Sequence, residues 1–179
     1  MMKSVFCLLS ILFVISLSLV AQNDGLKDLE DLRDKQNALL EYSEEDMVEI
    51  PGKDIVMAPP EYFEYNDSIG GFFHPGSSTS IQILEIQNAS MSDATESLNQ
   101  TYFETQGFHL KKDSVLTLNN GNSAKIYITD YTVNNEAYER IFFFTGHDKT
   151  IWVNVNYPAI VKDLVYKPVM SSLKTVKPN

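Results

Sequence analysis

Cysteine is nearly missing: the one copy among 179 residues, Cys7, sits inside the first apolar stretch. No disulfide can staple the rest of the chain, and thiolate catalysis or cysteine metal ligation is excluded there, so stability has to come from a packed core. Histidine is scarce too. His74, His109 and His147 stand alone, with no pair at i,i+4 spacing and no zincin-like acidic partner, so the sequence identifies no metal ligand. The strings G-x-S-x-G, G-x-x-x-x-G-K-[ST] and G-x-G-x-x-G are absent, which leaves a hydrolase elbow, a P-loop and a dinucleotide fingerprint without support. No catalytic residue and no cofactor is assigned.

Basic charge is short as well. Without Lys3, 13 basic residues stand against 24 acidic ones. An excess of that sign disfavours nucleic acid and anionic lipid surfaces as partners and favours solubility. Asp130, Glu136 and Glu139 have no context that singles them out as paired catalytic carboxylates and read as surface charges. His147-Asp148 reads as a turn.

After Val20 there is no long apolar run. Lys3 followed by the apolar stretch Val5 to Val20 and the small residues Ser16, Ser18 and Ala21 reads as a signal peptide over 1–21, with a retained anchor as the alternative. Cys7 lies too early to carry a lipid. The chain is expected to be exported, periplasmic or secreted, with no stable membrane span once the signal is removed.

What remains divides at a change of texture. Residues 22–47 are acidic, and Leu26, Leu29, Leu32, Leu39 and Leu40 recur at helical steps, which makes this an acidic helical or flexible segment. Residues 48–179 form one expected domain, long enough to bury roughly two-thirds of its unfolded surface. Short strands are predicted at 55–57, 71–74 and 79–87, a helix at 91–106 behind the Ser90/Asp93 capping box, and strands at 108–118, 123–133, 136–145 and 150–157. Asn134-Asn135 predicts a tight antiparallel hairpin. Pro168 predicts a turn followed by a C-terminal helix starting near Lys167. The order is that of an α+β sandwich, a largely antiparallel β-sheet covered by helices and closed by a C-terminal helix. Asn66, Asn88 and Asn99 match the N-glycosylation sequon.

Ile55-Val56-Met57-Ala58-Pro59-Pro60-Glu61-Tyr62-Phe63, Gly70-Gly71-Phe72-Phe73-His74-Pro75, Ser80-Ile81-Gln82-Ile83, Ile151-Trp152-Val153-Asn154-Val155-Asn156-Tyr157-Pro158 and Ser171-Ser172-Leu173-Lys174 together resemble the layout of the PsbP-like superfamily. That resemblance implies an α/β/α sandwich acting as a non-catalytic accessory or protein-binding domain, its partner being another exported protein. It transfers no site residue. Consecutive Phe142, Phe143 and Phe144 put aromatic rings on both faces of one strand, so one face needs a cover or offers an apolar patch. Phe143 and Trp152 are therefore the candidate binding residues, on an apolar sheet edge or aromatic face. Two other functions stay open: a small secreted hydrolase built on converging acidic or histidine side chains, and a carrier holding a small apolar ligand between sheet and helix.

Overall fold

The computed structural model describes residues 41–179. The signal peptide expected at 1–21 and most of the acidic segment lie outside those residues. A 3-10 turn, Glu44–Asp46, opens the described chain behind Ser43, whose backbone N–H and hydroxyl both donate to the Asp46 carboxylate. Strands β1 (Val48–Glu49), β2 (Ile55–Met57), β3 (Glu64–Asn66), β4 (Gly71–His74) and β5 (Thr79–Ile86) follow. Helices α1 (Met91–Thr95) and α2 (Gln100–Thr105) precede β6 (His109–Thr117), β7 (Ser123–Val133), β8 (Glu136–Thr145) and β9 (Thr150–Pro158). A 3-10 turn at Ala159–Val161 leads into α3 (Lys162–Leu173), and β10 (Lys177–Pro178) is the last element.

Seven strands form one antiparallel sheet in the order β3-β4-β5-β9-β8-β7-β6, and β1-β2-β10 form a second, small one. Strands β6 to β9 are a meander. The β7–β8 turn is the predicted two-residue hairpin, with Asn134 at φ 51° and Asn135 at φ 65°, left-handed positions that asparagine tolerates. Gly71 has a different reason to be glycine: a Cβ there would run into the Ile81 carbonyl of the paired strand.

Alternation then assigns the faces. Ile83, Val153, Phe143 and Ile126 lie side by side across four strands, and this row belongs to the main core, closed by Val165, Val169 and Leu173 of α3 and by Ile55 and Met57 of the small sheet. The opposite face carries Leu84, Trp152 and Phe144 in one row and Phe142 and Tyr127 in the next. There Phe103 of α2 and Met91 and Ala94 of α1 cover it. Both faces are thus covered at Phe142, Phe143 and Phe144, by a different helix layer on each side.

Two helical expectations are corrected. The single helix at 91–106 is broken by Asn99, which adopts an extended backbone and caps α2 by accepting from the Tyr102 N–H. The C-terminal helix does not wait for Pro168 but runs from Lys162 straight through it. Proline leaves the Leu164 carbonyl without its usual donor, and Leu164 is 75 % exposed, so water reaches that turn. No helix among the described residues is long and apolar enough to cross a membrane.

Candidate functional site

The two residues singled out in the sequence are placed very differently. Phe143 is fully buried in the main core and has no surface to present. Its neighbours alternate so that this phenylalanine faces the core closed by α3, which leaves it no surface for the direct contact expected of it. Trp152 is half-buried on the other face and stacked on Phe144, with ring centroids 5.7 Å apart and planes 12° from parallel. Its indole N–H and the Asn154 side-chain oxygen are buried without a hydrogen-bond partner among the described residues.

Glu139, expected at the surface, is instead 2 % exposed. The Tyr157 hydroxyl donates to it at 2.8 Å, Lys162 at 2.8 Å and Lys111 at 3.1 Å, and Lys111 also lies 3.4 Å from Asp130. Burial alone would raise the Glu139 carboxyl; the hydrogen bonds from Lys162, Tyr157 and Lys111 outweigh it and hold the group below its ordinary range. Burial, then the hydrogen bond to Glu139, drives the Tyr157 hydroxyl far upward. The cluster ties the start of α3 and the edge strand β6 to the sheet.

The histidines divide similarly. His74 Nδ1 lies 2.7 Å from the Ser77 hydroxyl, which in turn meets the Thr79 hydroxyl at 2.7 Å. This serine–histidine contact spans one 3-10 turn, Pro75–Ser77; Ser77 is buried, and the His74 ring stacks on Phe63 with no carboxylate among the described residues orienting it. A nucleophile needs access and an oriented base, and this pair has neither. His147 and Asp148 touch at 3.1 Å in full solvent exposure, the turn that was expected. Among the described residues, no group of three or more His, Cys, Asp or Glu converges. A surface recess between Tyr42, Glu44, Met47, Asn119, Thr175 and Lys177 has mixed polar lining, unlike the enclosed aromatic cavity a carrier needs.

The helix-covered face is not covered to its end. Beyond the rows of Phe144 and Phe142 it continues with Arg140, Tyr138 and Tyr131, joined by Phe108 at the entry to β6. Tyr131 and Tyr138 stack at 5.5 Å, and Phe108 meets both Tyr131 and Phe142 edge-on. The Arg140 guanidinium sits over three rings, 4.9 Å from Phe108, 5.3 Å from Tyr131 and 5.7 Å from Phe142. Its Nε donates to Asn156 at 2.5 Å, and the Tyr131 hydroxyl donates to the same oxygen. Tyr131, Tyr138, Arg140 and Asn156 are all half-buried. Tyr138 pairs across the strands with Pro158, and two residues further on Ile160 is 93 % exposed, with Leu164 one helical turn beyond. Sequence reasoning did not single out Arg140; its one available signal was an arginine standing alone in an acidic domain.

No protein-family model matches the chain, and no curated protein matches it in sequence. Solved structures do match in shape. The chain is similar to LpqN of Mycobacterium tuberculosis, a protein involved in cell envelope biogenesis, with a TM-score of 0.54 and 11 % identity over 69 % of this chain and 82 % of that one. It is also similar to the cyanobacterial PsbP of Synechocystis sp. PCC 6803, with a TM-score of 0.50 and 13 % identity over 74 % of this chain and 91 % of that one. Identities this low speak to the fold alone. With a helix layer on each face of an antiparallel sheet and a closing C-terminal helix, the chain has the PsbP-like fold.

Proposed function

We propose that this chain is an exported, non-enzymatic accessory domain that docks on another exported protein, using the uncovered end of its sheet. The observation that carries the reading is the half-buried surface of Arg140, Tyr131 and Tyr138, with exposed Ile160 two residues after Pro158, the strand partner of Tyr138, and exposed Leu164 near the start of α3. Tyrosine and arginine dominate the energetics of protein interfaces, because rigid rings and a planar fork lose little entropy on binding. An isoleucine at 93 % and a leucine at 75 % exposure gain by being covered. Export is supported by Lys3 and the apolar run that follows it. The likeness to LpqN, an envelope biogenesis protein, agrees with that location.

The test is recovery of a defined exported protein by the tagged chain from its native exported fraction, compared with Ile160→Asp plus Leu164→Asp. Both positions are on the surface, so the variant keeps its fold and loses the partner. Equal recovery by the folded variant removes this end of the sheet as the docking surface. Recovery of no partner by either chain removes the docking reading.

A further inference from the structure

Arg140 is the only arginine in residues 34–179, a stretch rich in carboxylates. Among the described residues no carboxylate pairs with it; its recorded hydrogen bond runs from Nε to the neutral amide of Asn156. The two amino groups of its fork make no hydrogen bond to the described residues and are not sealed from solvent. The fork is held on three aromatic rings, so little side-chain freedom remains to be lost on binding.

We propose that the partner presents an acidic peptide segment here, with one carboxylate taken by the Arg140 fork and neighbouring apolar side chains laid on Tyr131 and Tyr138. This rests on the docking reading above and names the chemistry of its partner. Charge complementarity selects the occupant. A preset, unpaired guanidinium on a half-dry aromatic floor matches the two oxygens of a carboxylate, and a bidentate ion pair there is screened less than one in open water. A peptide with alternating acidic and apolar residues engages both the guanidinium and the rings, which a bare anionic surface does not.

The experiment is an NMR titration of the exported chain with a hexapeptide of alternating glutamate and leucine, and with its glutamine–leucine counterpart. The glutamate peptide is expected to bind about tenfold tighter at low salt, moving the Arg140 Nε–H and the β8 amides, and to lose most of that margin in ~0.5 M salt. Arg140→Gln erases the difference between the peptides. Arg140→Lys restores part of it, since ammonium keeps the charge without the fork. Equal binding of the two peptides by the wild-type chain overturns the proposal without any variant, while the docking reading still stands or falls on Ile160 and Leu164. Retention of the glutamate preference in a folded Arg140→Gln chain also overturns it. So does Arg140-dependent binding to phosphatidylglycerol vesicles with no response to either peptide.

Discussion

Replacing Glu139 with glutamine removes one charge and almost nothing of the shape. The oxygen facing the Tyr157 hydroxyl survives, but an amide N–H₂ now turns toward Lys162 or Lys111, which were neutralised by this carboxylate. A hydrogen bond to a charged group contributes about 1.5–3 kcal/mol, and taking one partner from a buried ion pair costs about 3–5 kcal/mol. The two lysine side chains keep 41 % and 42 % exposure, so each can turn to water once the carboxylate is gone. That places the expected loss near 2 kcal/mol, which for a domain of this size lowers the melting temperature by roughly 6–10 °C. The folded carboxyl titrates below its ordinary range. A group depressed in this way adds stability above its unfolded value of about 4.3 and loses it as pH falls through the folded value. The gap between wild type and Glu139→Gln is therefore widest at neutral pH and closes in acid. Urea unfolding followed by Trp152 fluorescence, at neutral pH and in steps below about pH 4, reads both quantities. A neutral-pH gap under ~0.5 kcal/mol, or a gap that persists unchanged in acid, would refute the ion-pair account.

Phe143→Ala takes a fully buried ring out of the main core and is expected to cost about 3–5 kcal/mol, read as a lower urea midpoint; a loss under ~1 kcal/mol would contradict its central place. Pro168→Ala restores a donor to the interior of α3 and is expected to stabilise the chain by about 1–3 kcal/mol in thermal melts, at most the full proline penalty because the Leu164 turn is exposed.

Much of the fold can be read along the chain because antiparallel strands are local objects. Ile151, Val153, Val155 and Tyr157 alternate with Trp152, Asn154 and Asn156, and that alternation alone places β9 between two layers. The hairpin at Asn134-Asn135 is written in the two residues that occupy it. The helices were harder for a related reason: Asn99 belongs equally well inside a helix or at its cap, and the choice is made by Phe103, which reaches Tyr127 and Phe142 only from a separate short helix. The site was harder still. Glu139 draws its partners from positions 18, 23 and 28 residues away, on three different elements, and no window of sequence shows them together. Arg140 looks unremarkable beside Glu139 until the sheet sets Phe108, Tyr131 and Asn156 around it.

The two borders of the large sheet differ from its faces. One is β3, three residues long; the other is β6, kinked by a register shift between Leu110 and Lys112 and carrying Lys111, Lys112 and Asp113. A short border strand and a bent, charged one are both poor templates for another strand, so the ladder stops growing at each side. At high protein concentration this means that two copies meeting side by side do not zip into a longer sheet, even though the core strands are rich in the isoleucine, valine and phenylalanine that cross-β stacking favours. Partners are left with the ends and faces of the molecule, and the kink that keeps copies apart also brings Lys111 to Glu139.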